Sequence, residues 1–251
     1  MTRISRRKLL TAGLATAAGA SGLAVAAKLA GRYGLIPPDA GTLYGAGESL
    51  TYAAQRLLTR HSMAREFTRS QISVPFGKSP KPLGDEFYRL ERGGFSEWRL
   101  AVDGMVAHPQ SFTIEELKSF PQHSQITHLA CEEGWSYIAE WSGVRLSHVL
   151  ELVGTLPHAW YVLYRSFQPK WWESIDMSDA LHPQTLLTLG INGGGLPVVF
   201  GGPLRMRVPR QLGYKNVKYI TRLTLTDDLT HFGKGFGASS PEAGYAWYAG
   251  I

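Results

Sequence analysis

Cysteine is nearly absent from this chain: Cys131 is the single one in 251 residues. No internal disulfide can form, which leaves the thiol for packing, nucleophilic chemistry or ligation of a soft metal. Charge is scarce too, at 18% Asp, Glu, Lys and Arg against 44% hydrophobic residues, the balance of a folded globular protein and not of a disordered one. The eight histidines form no His-Glu-x-x-His pair, and one cysteine allows no Cys-x-x-Cys, so the usual zinc spacings are missing. There is no internal repeat. Acidic residues are lacking before Asp39, where Arg3, Arg6, Arg7, Lys8, Lys28 and Arg32 supply the whole net charge of +6. The body of the chain is therefore close to neutral, which argues against a sequence-independent grip on nucleic-acid backbones.

What stands at the N-terminus accounts for that charge. Ser5-Arg6-Arg7-Lys8-Leu9-Leu10 precedes an uncharged run rich in Ala, Gly and Leu over residues 11–27. A basic head, a modest apolar stretch and small residues around Ala24-Val25-Ala26-Ala27 make an export-signal pattern, and the paired arginines point to the twin-arginine route and a periplasmic destination. The stretch is just long enough to span a bilayer but weakly hydrophobic, so an uncleaved membrane anchor is the alternative. Residues 1–31 are read as signal or anchor, 32–67 as a linker and helix, and 68–251 as the folded domain. A chain with one cysteine makes no use of an oxidising compartment for disulfides.

Strands outnumber helices and do not alternate with them, so the expectation is α+β, with mixed β-sheets and peripheral helices. Leu50, Ala53, Ala54, Leu57 and Leu58 predict a helix over 49–60. Residues 68–95, containing Pro and Gly, read as a long surface segment. Trp98, Leu100 and Val102 alternate as a strand turning at Asp103-Gly104. Thr113 and Glu116 form a capping-box pattern. Residues 125–131 predict a strand with Thr127, Leu129 and Cys131 on one face and His128 on the other. A short helix follows through Leu146, Val149, Leu150 and Val153. Further strands are expected over 160–165, 185–191, 196–200, 204–208 and 217–226, with Asn192-Gly193-Gly194-Gly195 as a hairpin turn. Gly233-x-Gly-x-Gly lacks the flanking strand and helix of a nucleotide loop and reads as tail.

Chemistry concentrates in three segments: His128-Leu129-Ala130-Cys131-Glu132-Glu133-Gly134-Trp135-Ser136, then Gly201-Gly202-Pro203-Leu204-Arg205-Met206-Arg207, then Gly213-Tyr214-Lys215-Asn216-Val217-Lys218. A strand ending in Cys131 before a charged loop aims the sulfur at a cleft. Arg205 and Arg207 share one strand face, with Leu204, Met206 and Val208 on the core face. The turn after Gly213, with Lys215 and Lys218, offers N–H groups and cations to a phosphate. Together these predict a phosphate-bearing organic cofactor that carries a metal.

On these motifs the chain resembles the sulfite oxidase family of molybdopterin-binding proteins, and in layout its small exported bacterial members. The resemblance implies Mo-molybdopterin as cofactor, Cys131 as the molybdenum thiolate and Arg205 as a catalytic and pterin-phosphate contact. It assigns further cofactor contacts to Ser73, Phe76, Gly77, Ser166, Asn216, Val217 and Lys218. Phe200 stands where relatives place His or Asn, so a polar cofactor contact is there replaced by an apolar wall. The implied activity is oxygen-atom transfer on a small S- or N-oxide or sulfite-like substrate by a monomer that exchanges electrons with a separate cytochrome or membrane haem protein. The competing readings are a mononuclear copper or zinc protein using Cys131 with His128 or another histidine, and a catalytically silent cofactor-binding module.

Overall fold

The computed structural model describes residues 28–30, 34–40, 45–75 and 83–251. All of the expected signal or anchor, residues 1–31, except 28–30, and the expected contacts Phe76 and Gly77 lie outside the described residues. Among those described, no helix is long and apolar enough to cross a membrane. The chain divides into two compact units, Met1–Ser62 and Met63–Ile251. The first holds helix α1 (Gly45–Leu58), whose buried side is formed by Tyr52 and Arg56, with the guanidinium 5.1 Å from the ring centre. Leu50 and Leu58, expected on a buried stripe, are instead exposed.

The second unit carries two five-stranded sheets. Its strands are β1 (Arg99–Gly104), β2 (Gln110–Thr113), β3 (Gln122–Ala130), β4 (Ser136–Arg145), β5 (Tyr161–Ser166), β6 (Trp172–Asp176), β7 (Leu186–Ile191), β8 (Gly194–Gly195), β9 (Arg205–Arg207) and β10 (Ile220–Thr226). One sheet runs β2-β1-β10-β5-β6, with β1 and β10 parallel and the other neighbours antiparallel. The other runs β3-β4-β7-β8, with β9 also paired to β7. Mixed sheets with short helices between them make the α+β class that the strand-rich sequence predicts.

The main core joins both sheets. Trp98, Leu100 and Val102, alternating as the sequence indicates, are fully buried. Phe87 is the hub: Phe95, Trp98, Phe167 and Tyr219 meet it edge-on with ring centres 5.3 to 5.9 Å away. That phenylalanine belongs to helix α2 (Asp85–Arg92), which falls inside the expected surface segment. Asp85 and Glu86 in its first turn and Arg89 and Arg92 in its last suit the helix dipole, while Phe87 and Leu90 point inward together. Helix α3 (Ile114–Ser119) is entered through the capping box: Thr113 Oγ1 accepts from Glu116 N at 3.0 Å, and the Glu116 carboxylate accepts from Thr113 N at 2.7 Å. Helix α4 (Leu146–Leu152) follows the predicted stripe, and α5 (Met177–Ala180) and α6 (Ser239–Glu242) are single turns.

Three strand expectations need correction. Residues 196–200 form a 3₁₀ turn, Val198–Phe200, behind Pro197, which has no N–H to give a ladder. The hairpin partner of β7 is only Gly194–Gly195, reached through Asn192 and Gly193 at φ of 51° and 80°. Residues 217–219 are not strand, because Tyr219 takes a left-handed φ of 58° and its N–H donates to Gly201 O at 3.2 Å. Arg205 and Arg207 do share a face of β9, but that face is buried as fully as the Met206 side. It meets a second, smaller core of Leu129, Tyr137, Ala139, Trp141 and Ile191, flanked by Trp135, Leu196 and Phe200.

Candidate functional site

Cys131 lies one residue past the end of β3, at the start of a tight loop. Its N–H donates to Trp135 O at 2.9 Å and its carbonyl accepts from Gly134 N at 3.1 Å. Gly134 takes a φ of 91°, which only glycine adopts without strain. The sulfur sits 3.2 Å from Glu132 Oε2. Burial pushes the thiol up to about 12, and the charges of Glu132 and Glu133 add to the shift.

The turn Gly213–Lys215 rests directly on this loop. A Cβ on residue 213 would stand 3.1 Å from Cys131 Cα and 3.3 Å from Ala130 O, a tight fit in which the Cys131 loop would have to give by a few tenths of an ångström. Asn216 closes the turn: Oδ1 accepts from Val208 N at 2.8 Å and from Arg207 Nη1 at 2.7 Å, while Nδ2 donates to Leu212 O at 2.9 Å. Val217 is buried, and its carbonyl accepts from Met206 N at 2.9 Å. The first and third chemical segments of the sequence thus approach each other closely, with Gly213 packed beside Cys131, 82 positions before it.

Lys215 does not serve the turn as a free cation. It is fully buried in an ion pair with Glu173 at 2.9 Å and donates to Ser174 O at 2.9 Å, which corrects the expectation of a phosphate-receiving lysine. Lys218 lies on the other side, where Nζ donates to Val199 O at 2.6 Å. Its carbonyl accepts from Ser166 Oγ at 2.9 Å, so Ser166 is tied to the turn through the main chain. Gly201 packs on the Lys218 side chain, with no room for a Cβ. Ser73 pairs by N–H and hydroxyl with Ile138 of β4, at 3.0 and 2.9 Å.

Beneath the loop are the two arginines. Arg205 donates from Nη1 to Phe200 O at 2.9 Å, with Tyr137 nearby. Arg207 donates to His128 O at 2.6 Å and Thr127 Oγ1 at 3.2 Å. Both guanidiniums lie over the Trp141 ring, 5.2 and 5.4 Å from its centre. The aromatic column continues through Tyr137, 5.9 Å from Trp141, to Trp135, stacked on Tyr137 at 6.0 Å and 7°. Phe200 meets Tyr137 edge-on, with ring centres 6.5 Å apart.

Neither arginine has a carboxylate partner among the described residues, and the Nε of each is buried with no acceptor. Burial lowers both; for Arg207, with Arg205 beside it, the value falls to about 9. Trp141 Nε1 and Thr188 Oγ1, the latter opposite Arg205 in the β7–β9 ladder, are buried without partners as well. Two like charges in a desolvated space, surrounded by unused donors, make a site complementary to an anion.

Of the expected residues, Cys131, Arg205, Asn216 and Phe200 share one neighbourhood, with Ser166, Val217 and Lys218 joined to it through backbone contacts. Arg207, read in the sequence only as sharing the strand face of Arg205, belongs to it too, as do Tyr137 and Trp141, to which sequence reasoning assigned no role. The alternation Tyr137, Ala139, Trp141 on one face of β4 is the signal that marks the aromatic column. Among the described residues, no three His, Cys, Asp or Glu side chains are placed to hold a metal ion, so a copper or zinc centre built on Cys131 and His128 finds no ligand set there.

Residues 90–231 match the family described as the oxidoreductase molybdopterin binding domain. A chain from Azospira oryzae, provisionally named a protein-methionine-sulfoxide reductase subunit, YedZ1, is 38% identical over 194 residues, covering 77% of this chain and 70% of its own length. Among solved structures, the sulfane dehydrogenase SoxCD of Paracoccus pantotrophus is similar with a TM-score of 0.51 at 21% identity. That likeness is one of fold; it covers 67% of this chain, which spans 46% of the solved one.

Proposed function

The chain belongs to the oxidoreductase molybdopterin-binding domain family, of the sulfite oxidase type, and from that premise we propose that it is an exported molybdenum-dependent oxidoreductase acting by oxygen-atom transfer. Within the expected range of S-oxides, N-oxides and sulfite-like anions, a sulfoxide is the substrate class favoured by the name of the Azospira relative. Electrons pass to or from a separate partner, in keeping with that relative's being named a subunit. The twin arginines Arg6 and Arg7 support export of the folded, loaded protein to the periplasm.

The residues present fit a phosphorylated pterin. Arg205 and Arg207 bring two buried positive charges with unused Nε donors, and the turn around Asn216 sets Arg207 in place. Cys131, beside that turn, supplies a soft sulfur for the metal. When bound, the cofactor supplies the two-electron exchange of an oxygen atom; the protein binds, orients and tunes it. Trp135 and Phe200 pack against the small core beside the site, and Tyr137 keeps its hydroxyl proton, its pKa raised chiefly by burial.

The buried, carboxylate-free arginine pair next to the only thiol is the observation that carries this reading. Protein matured with its export signal is expected to contain about one molybdenum per chain and to release a fluorescent pterin on denaturation. Copper or zinc in place of molybdenum, or no pterin, overturns it. Cys131→Ser, nearly isosteric, is expected to keep the melting temperature and to lose at least about a hundredfold in sulfoxide reduction. A destabilised variant whose folded fraction has full specific activity would assign Cys131 to packing.

A further inference from the structure

The family match ends at residue 231, yet the segment beyond it is packed into the domain. Gly233, Gly235 and Gly237 all take left-handed φ, of 62°, 88° and 74°, and turn the chain back toward β6. Residue 233 has no space for a side chain against Glu242 and Trp172. Ser239 and Ser240 then dock on β6: Ser240 N donates to Glu173 Oε1 at 2.8 Å and Ser239 Oγ to Trp172 O at 2.6 Å. Trp247, fully buried, donates from Nε1 to Ser174 Oγ at 2.8 Å and sets its ring 5.0 Å from Lys215 Nζ.

The rest of the segment grips the turn residue by residue. Ile251 N donates to Arg210 O at 3.0 Å, Ala249 N to Gln211 Oε1 at 3.3 Å, Leu212 N to Ala249 O at 2.9 Å, and Tyr214 Oη to Ala246 O at 2.7 Å. Lys215 is held from both sides by Glu173 and the Trp247 ring. In the run 210–215 only Gly213 makes no such contact among the described residues, and Gly213 is the residue that faces Cys131.

We infer that segment 238–251 is a clamp that presses the Gly213–Lys215 turn onto the Cys131 loop, with Trp247 and Lys215 as its positioning residues. Through Asn216 the same turn sets Arg207, so the clamp fixes both the sulfur side and the anion side of the site. In its consequence for the cofactor the inference rests on the function proposed above.

The test compares Trp247→Ala with Leu117→Ala, a second large-to-small change in the buried core, in the full-length protein at conditions giving equal loss of melting temperature. Hydrogen exchange at the amides of Lys215 and Asn216 is expected to be about tenfold faster in Trp247→Ala than in Leu117→Ala. Fluorescent pterin is expected to leave the loaded Trp247→Ala protein several times faster as well, and Trp247→Phe is expected to recover both properties. Should Trp247→Ala fail to fold, Tyr214→Phe, which removes the bond to Ala246 O, is expected to show the same exchange pattern more weakly. Equal exchange in matched variants refutes the clamp; faster exchange with unaltered pterin retention refutes its role in positioning. A wild-type protein without pterin overturns the functional reading alone, since exchange still judges the clamp.

Discussion

A thiol pushed up to about 12 by burial, with two carboxylates adding to the effect, stays protonated at neutral pH, so Cys131 in the unloaded protein is a slow nucleophile. Its folded value lies above the ordinary 9.0, so its contribution to stability is complete below pH 9 and is lost as pH rises toward 12. Alkylation by iodoacetamide at pH 8 is expected to run roughly fiftyfold slower than for free cysteine, the smaller thiolate fraction being partly offset by greater intrinsic nucleophilicity. The rate should climb with pH well beyond 9; a plateau near 9 would contradict the assignment of a desolvated thiol. Cys131 and Arg205 are legible in the sequence because each sits in a local pattern with few alternative uses. Arg207 is legible only as sharing the strand face of Arg205, and the alternation of Tyr137 and Trp141 shows a strand face but not its use, because their role comes from the register of β4, β7 and β9, in which separate strands share a ring. Lys215 misleads for the same kind of reason: its partner, Glu173, is 42 positions away, and nothing local reveals it.

Elements with strong local signals were readable, and those stabilised mainly by distant contacts were not. The capping box before α3 and the alternation in β1 are complete within a few residues. Helix α2 has only eight residues, too few for a periodic stripe to stand out, and its burial comes from four aromatic rings elsewhere in the chain. The cap also gives a pH-dependent test. The backbone N–H and hydroxyl of Thr113 hold the exposed Glu116 carboxylate below its ordinary 4.5. A depressed folded value means that the stabilisation is present above pH 4.5 and lost as pH falls through that lower value. The gap in melting temperature between wild type and Glu116→Ala is therefore expected to narrow from pH 7 to pH 3, and a constant gap would show that the carboxylate's charge contributes nothing. Thr113→Ala is expected to cost about 1 kcal/mol.

At the scale of the domain, residues 208–219 leave one sheet at β9 and enter the other at β10, and the site lies along that crossing. The buried Lys215–Glu173 pair anchors it to β6. Removing one member strands the other charge in the interior, so Lys215→Met is expected to cost roughly 3–5 kcal/mol in denaturant unfolding. Lys215→Met combined with Glu173→Leu is expected to cost less than Lys215→Met alone; simple additivity of the two single changes would show that the charges do not act as a pair. The arginine pair has a different consequence. On the proposed function, an anion held by the pair would answer two guanidiniums that otherwise repel, and a tightly held ligand lowers the frequency of opening in proportion to its affinity. Proteases cut chains while they are open. On that reading, proteolysis is expected to remove unloaded molecules faster than loaded ones without any dedicated sensor, because the distinction lies in how often each comes apart.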